Sequence, residues 1–345
     1  MSRKKLFYGQ TAPRAGCRLA ARGSQLIAHW PLITALMWPC LALAQASYPT
    51  KPIRFISPFA PGGSTSAVAR ALGQKLTESW GQQVIVDNRP GGNTIIGTDT
   101  LAKATPDGYT IMMATSTLVI MPSLLPKLPY DPLKDFAPIG NVYRSEFVLV
   151  VNASVPANSL QELIALAKSR PGELNYATTG AGGVVHLASE LLNTLAGIKT
   201  QHIPYKGAGP AIVDLIGGQV QIFINNTLTV TPHVKSGRLK ALAVTGEARI
   251  PVLPQVPTFT EAGLPGLDVS PWFCVLAPAG TPKAIIHKLA TEIARIVALP
   301  EFQDYLARQG LQPFSSTPDE LAALMKADMV RWAGVIKAAG IKIEQ

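Results

Sequence analysis

Two short segments carry the residue types from which a binding site without charged side chains can be built. Phe59-Ala60-Pro61-Gly62-Gly63-Ser64-Thr65-Ser66 follows an apolar run and precedes a helix-spaced segment, and Thr178-Thr179-Gly180-Ala181-Gly182-Gly183 repeats the design. Glycine lets the backbone approach a ligand closely, hydroxyls add donors, and the first amides of a helix have no intrahelical acceptor. The positive end of the helix dipole then favours an anion, so each segment can cradle a carboxylate or a phosphate. Each can equally be a strand-to-helix turn that needs glycine only for its dihedral angles, and the local sequence leaves both readings open.

Three further positions fall where a cleft would need polar groups. Thr115-Ser116-Thr117 closes an apolar run, where open α/β sheets place ligand contacts, or it is a plain helix cap. Lys206, between Tyr205 and Gly207, is a cation beside an aromatic edge or a solvated surface charge. His186 shares helical spacing with Leu187, Leu191 and Leu195, which favours a packing role over a catalytic one.

Signatures of catalysis are missing. The sequence has no Gly-x-Ser-x-Gly elbow, no phosphate loop ending in Gly-Lys-Ser/Thr, no Cys-x-x-Cys and no His-Glu-x-x-His. Gly180-Ala181-Gly182 begins like a dinucleotide fingerprint, but Val185 stands where the third glycine is required. His29, His186, His202, His233 and His287 include no pair at metal-ligand spacing. The expectation is a protein with no catalytic residues, no metal and no cofactor.

The chain has 345 residues, 47% of them hydrophobic and 15% charged, which excludes a disordered protein. Its formal charge of +10 suggests nucleic acid until the charge is located. Residues 1–46 hold six basic side chains (Arg3, Lys4, Lys5, Arg14, Arg18, Arg22) and no acidic one, followed by an apolar run from Leu26 to Ala44 and the small-residue exit Ala44-Gln45-Ala46. That order is a cleaved secretory signal peptide; the alternative, a membrane anchor, is disfavoured by His29, Pro31 and Pro39 inside the run. Removing those six leaves 25 Lys and Arg against 21 acids, a balance of +4 that argues for no polyanionic partner. Cys17 and Cys40 leave with the leader, and Cys274, inside the apolar run Trp272–Ala277, reads as a buried thiol.

Positioning the loops requires short strands alternating with helices, the pattern of an α/β protein with largely parallel sheets. Strands are expected at Ile53–Pro58, Val84–Asp87, Tyr109–Thr115, Phe147–Asn152, Asn175–Thr178, Val220–Ile224, Leu239–Thr245 and Trp272–Ala277. Helices are expected where Val68, Leu72, Leu76 and Trp80 recur at helical spacing, from Ser159 with a capping box to Glu162, over Val184–Leu195 and Ile212–Ile216, and after Thr281-Pro282 and Thr317-Pro318. Residues 249–271, rich in Pro and Gly, read as a long connection.

Taken in order, the motifs resemble a known family, the periplasmic solute-binding receptors of tripartite tricarboxylate transporters, often called Bug-type receptors. The resemblance runs through Tyr48-Pro49-Thr50-Lys51-Pro52-Ile53, Pro58-Phe59-Ala60-Pro61-Gly62-Gly63, Asn88-Arg89-Pro90-Gly91-Gly92, Pro106-Asp107-Gly108-Tyr109-Thr110 and the Gly-rich loop leading to His186-Leu187-Ala188. It continues in Pro204-Tyr205-Lys206-Gly207, Gly217-Gly218-Gln219-Val220, Glu261-Ala262-Gly263 and Ala277-Pro278-Ala279-Gly280-Thr281-Pro282. It implies a two-lobed, type II periplasmic binding protein, each lobe a mostly parallel sheet flanked by helices. Lobe 1 would comprise residues 47–150 and 271–345, and lobe 2 residues 151–270. The two Gly-rich loops would then face each other across a cleft that holds a small carboxylate through amides, hydroxyls and waters. Two positions depart from the family pattern, since Ser66 and Asn225 stand where Asp is frequent. If those acids recognise amino groups, their loss disfavours an amino-acid ligand.

The expected contacts are Phe59, Pro61, Gly62, Gly63, Ser64, Thr115, Ser116, Thr179, Gly180, Ala181, Gly182, Lys206 and Asn225. The expected protein is a monomeric periplasmic receptor, not an enzyme, that captures a di- or tricarboxylate or another carboxylic acid and delivers it to integral-membrane transporter subunits. An exported sensor of the same fold that feeds a membrane signalling partner is the alternative. An enzyme would have to use His186 or Ser64.

Overall fold

A computed structural model describes residues 48–125 and 127–341; the expected leader at 1–46 lies outside the described residues. From Tyr48 the chain alternates strand with helix. β1 (Ile53–Ser57) leads into α1 (Ser64–Trp80), β2 (Val84–Asn88) into α2 (Ile95–Ala102), and β3 (Thr110–Thr115) into the short α3 (Thr117–Ile120). β4 (Phe136–Ser145) and β5 (Phe147–Asn152) follow, then α4 (Leu160–Ser169), β6 (Asn175–Thr178), α5 (Val184–Ala196), β7 (Gln201–Pro204) and α6 (Ala208–Ile216). β8 (Ile222–Asn226), α7 (Thr227–Lys235) and β9 (Leu239–Val244) complete this stretch. After the long connection come β10 (Trp272–Pro278), α8 (Lys283–Val297), α9 (Pro300–Arg308), β11 (Leu311–Pro313) and α10 (Pro318–Ala338).

The strands form two sheets, β11-β4-β10-β3-β1-β2 and β7-β6-β8-β5-β9. Both are mixed, not mostly parallel as expected. β1 pairs in parallel with β2 and β3, and β6 with β7 and β8, but β10 runs against β3 and β4, and β5 against β8 and β9. The reason is the route of the chain. β5 and β10 are the strands by which it enters each sheet from the other, so neither has the helical crossover that makes a neighbour parallel. β4 and β5 are separated only by Glu146, so Phe147–Val150 already pair in the second sheet, ahead of the expected changeover at 150.

Alternation along each central strand sorts side chains to two faces. Ile53 and Phe55 of β1, Ile111 and Met113 of β3, and Phe273 and Val275 of β10 pack with Val68 and Leu72 of α1 and Leu289 and Ile293 of α8. Ile56, Met112 and Cys274 face the other way, against Leu101, Leu118, Leu321 and Met325. Cys274 is fully buried and burial pushes its thiol well up, so it is inert packing. The second sheet buries Val148, Val150, Tyr176, Phe223, Ile224 and Leu242 beneath its helices. Full burial of each such side chain contributes roughly 1.5–3 kcal/mol.

α10 belongs to both cores. Thr317 accepts from the Glu320 amide at 3.2 Å and the Glu320 carboxylate accepts from the Thr317 amide at 2.8 Å, the capping box that starts the helix. Its first half buries Leu321 and Met325 against the first sheet, and its second half buries Trp332 and Ile336 in the cluster that joins Ile120 of α3 to the second sheet's side chains. Between them the buried Asp328 accepts from Trp272 Nε1 at 2.6 Å, tying the helix to the strand that re-enters the first sheet.

Candidate functional site

Several strands deliver helix starts to one place. β1 leads to α1, β6 to α5, β7 to α6 and β8 to α7, and residues from all four junctions (Gly63–Thr65, Thr179 with Val184 and Val185, Ala208, and Asn225 with Asn226) line one cavity between the sheets. α1, α5 and α6 have glycine at the N-cap (Gly63, Gly183, Gly207), no capping side chain and no acid in the first turn. Each carries about half a positive charge, and its first-turn amides have no capping side chain, although the Val184 amide of α5 donates to Thr117 Oγ1. α7 differs, since Asn226 Oδ1 accepts from the Thr229 amide at 3.2 Å. No charged side chain lines this cavity. It can therefore attract an anion without offering a cation.

The inner space is about 40 Å³, room for a few water molecules, and Phe59 and Thr179 also line an outer chamber of about 310 Å³. Of the expected contacts, Phe59, Gly63, Ser64, Thr115, Thr179 and Asn225 line the inner space, and Gly180, Ala181 and Lys206 join Phe59 and Thr179 around the outer one. Pro61, Gly62, Ser116 and Gly182 line neither. Pro61 and Gly62 are exposed on the lip, Ser116 is buried and bonds through its amide to the Trp272 carbonyl, and the Gly182 amide donates to His186 Nδ1 at 3.1 Å. The Gly180 amide is likewise engaged, with Thr178 Oγ1 at 3.2 Å. Thr65 and Thr117, which belong to segments singled out in the sequence but not to the expected contacts, also line the inner space, and so do Phe147, Val184, Val185, Ala208, Asn226 and Phe273, which the sequence reading passed over. A larger concavity of about 750 Å³ runs along α4 and β9, but no helix starts converge there beyond α4, whose first amides are capped by Ser159.

The hydroxyls are oriented by their neighbours. Tyr143 OH donates to or shares its proton with Ser64 Oγ at 3.2 Å, and its ring stacks on Phe273 at 4.1 Å. Asn225, almost fully buried, uses Oδ1 to accept from the Asn226 amide at 2.9 Å, so its Nδ2 amide is the end left for the cavity. Ser66 turns elsewhere: its hydroxyl accepts from Arg70 Nη1 at 2.6 Å and from Asn88 Nδ2 at 3.1 Å.

The lips of the cleft meet. The Ala60 amide donates to the Lys206 carbonyl at 3.0 Å, the Val184 amide to Thr117 Oγ1 at 3.3 Å, and Asn93 Nδ2 to the Ala181 carbonyl at 2.9 Å. Gly62 and Gly209 lie so close that a Cβ on Gly62 would stand 3.0 Å from the Gly209 Cα. The Lys206 side chain is exposed at the outer chamber, while its carbonyl serves the lip.

Behind the second Gly-rich loop, His186 stacks on His202 at 4.0 Å and His202 on Tyr176 at 5.2 Å. Tyr176 OH donates to Glu190, and His202 Nε2 bonds to Thr178 Oγ1 at 2.7 Å. His186 and Ser64 make no hydrogen bond to each other. Burial, with the neighbouring His202, pushes His186 down to about 3, and burial pushes His202 down to about 4. Both values lie below the ordinary 6.5, so between those limits the unfolded chain binds more protons than the folded one. Stability from this pair is complete above pH 6.5 and is lost as pH falls towards 4, by up to about 1.4 kcal/mol per pH unit for each group. Denaturant midpoints measured at pH 7, 5.5 and 4.5 are expected to fall across that range, with a shallower fall in His186→Gln; equal slopes would remove His186 from the account.

A protein-family model described as "Tripartite tricarboxylate transporter family receptor" matches residues 68–341. Over 300 residues the chain is 42% identical to the protein BugT of Bordetella pertussis (strain Tohama I), covering 86% of this chain and 92% of BugT. Among solved structures, R. palustris Rpa4515 with adipate is similar at a TM-score of 0.83 and 35% identity, over 86% of this chain and 99% of that one. MatC (Rpa3494) from Rhodopseudomonas palustris with bound malate gives a TM-score of 0.79 at 31% identity, over 84% and 100%.

Proposed function

Because the chain belongs to the family of tripartite tricarboxylate transporter receptors, we propose that it is a periplasmic receptor that closes two lobes on a small dicarboxylate. Receptors of this family bind small organic acids and work with transporter components. The observation that carries the ligand class is the convergence of three uncapped helix starts on a cavity lined by no charged side chain. A carboxylate there accepts from α1 and α5 amides and from the hydroxyls of Ser64, Thr115 and Thr179. Similarity to relatives holding adipate and malate supports two carboxylates over one. The inner space is smaller than such a molecule, so its second carboxylate reaches into the outer chamber or the lips part to admit it.

The lobes are assigned as 48–145 with 271–341, and 147–270, with Glu146 at the first crossing. The role is capture and delivery to integral-membrane subunits, not catalysis, by a monomer with no nucleic-acid partner, exported by cleavage of residues 1–46. Asn225 presents a donor to the cavity, which favours a carboxylate or hydroxyl over an ammonium group. Calorimetry on ligand-stripped protein is expected to show binding of malate, succinate or adipate and none of a neutral diol of the same length. If no carboxylate in such a panel binds, the reading fails.

A further inference from the structure

We infer that Asn93 is the latch through which lobe closure positions the second Gly-rich loop for solute. This rests on the receptor reading above and adds a residue that borders the outer chamber but not the inner space. Asn93 lies between β2 and α2, in the first sheet's half of the molecule, and its partner Ala181 precedes α5 in the other half. The contact therefore exists only when the halves meet.

Its surroundings are built around it. Asn93 and Thr94 have φ of +48° and +80°, the only positive values at non-glycine residues among the described residues. Side chains adopt that region rarely, and it persists where neighbours over-determine the conformation. The Asn93 side chain enters between Gly180 and Gly183. A Cβ on Gly180 would stand 2.6 Å from Asn93 Cβ, and one on Gly183 would stand 2.5 Å from Asn93 Nδ2. With φ −97°, Gly183 has a backbone any residue can adopt, so its missing side chain is explained by Asn93 and not by its dihedral angles.

The hydrogen bond to the Ala181 carbonyl fixes the loop between Thr179, which lines the inner space, and the first amides of α5. Asn93 acts through that loop, which makes it a positioning residue. Its Oδ1 is buried and has no donor. A buried acceptor left unsatisfied works against closure, so without solute the latch holds the lobes together in only part of the population. Solute bound across the two lips shifts the rest to the closed form, and its departure returns the latch to that partial hold.

The test compares wild type, Asn93→Ala, Gly183→Ala and the double variant, with malate and adipate as probes. Asn93→Ala is expected to raise Kd by about 10- to 100-fold, chiefly through faster dissociation, with an unchanged melting temperature of the ligand-free protein. Gly183→Ala alone is expected to weaken binding by about 10-fold or more, yet to cost less than about 3-fold when Asn93 is already Ala, because its methyl then meets nothing. Small-angle scattering of the ligand-free protein should show a larger radius for Asn93→Ala than for wild type. Wild-type affinity in Asn93→Ala, or an equal cost of Gly183→Ala on both backgrounds, overturns the latch. If wild type itself binds neither probe, the receptor reading is what fails, and identical scattering radii would then reject the latch separately.

Discussion

Gly209→Ala is expected to reduce dicarboxylate affinity by at least about 100-fold while leaving the protein as stable as before. Gly209 sits in the first turn of α6, where alanine is favoured over glycine by about 1 kcal/mol in an ordinary helix. Within its own lobe the substitution is therefore benign. Across the cleft it is not, because the new Cβ would overlap the Pro61 carbonyl oxygen and crowd the Pro61 carbonyl carbon. Both are backbone atoms, and neither can swing aside as a long side chain can. The lips must stay apart, and hydrogen bonds from helix amides to a carboxylate lengthen past their useful range. Loss of two charge-assisted bonds at about 1.5–3 kcal/mol each accounts for the expected drop. Calorimetry gives the affinity and thermal melting of the ligand-free protein gives the control. Wild-type affinity would show that these lips need not close for solute to be held.

Asn225→Asp should be at least as damaging for a different reason. The replacement has the same shape, and one carboxylate oxygen can still accept from the Asn226 amide. The other oxygen replaces a donor by a charged acceptor at a site only 1% exposed. Against an anionic solute about 4 Å away, the repulsion at an effective dielectric constant of 20 is about 4 kcal/mol, close to a 1000-fold loss in affinity. The ratio of malate to aspartate affinity should fall as well, since an ammonium group becomes the better neighbour. Unchanged malate binding would place Asn225 outside the solute's reach.

Much of the fold was legible because its strands are short apolar runs followed by glycine or a cap. Ile53–Ser57, Asn175–Thr178 and Trp272–Pro278 fall within a residue or two of their expected limits. The Ser159 cap was legible too, although only half of it forms as a box: Ser159 accepts from the Glu162 amide, while the Glu162 carboxylate accepts from Asn158 and not from Ser159. β4 was not legible. Pro138 and Gly140 interrupt its alternation, and its central partner β10 lies far along the chain, so tertiary pairing and not local preference makes it a strand. α7 was hidden by Thr227, Thr229, Thr231 and Pro232, poor helix formers held in place by the Asn226 cap and the burial of Val230. α6 begins four residues before the expected start, because Gly207-Ala208-Gly209-Pro210 looks like a loop until the lip contact explains both glycines.

At the site, glycine-rich composition pointed to junctions that line the cavity but could not say which amides were already engaged. The amides of Gly180 and Gly182 are satisfied by Thr178 and His186. Phe147 and Phe273 were missed for the reason β4 was: they belong to the entry strands, whose place beside the cavity follows from the crossing of the chain between sheets. Their only local signal is an aromatic residue at or near the first position of an apolar run.

The place of β10 between β3 and β4 has a consequence for how the protein is made. A chain emerging from its N-terminus carries β3 and β4 early, yet the strand that must lie between them does not exist until the whole of the other lobe has been synthesised. The first lobe therefore cannot close ahead of time, and Trp332 and Ile336 near the end of α10 are the last side chains to join the cluster that holds the second sheet. Such non-local dependence makes folding slow and late. For a chain proposed to cross a membrane before it works, that delay is useful: the first lobe has no finished sheet to jam a translocation pore until nearly all of the chain has been delivered.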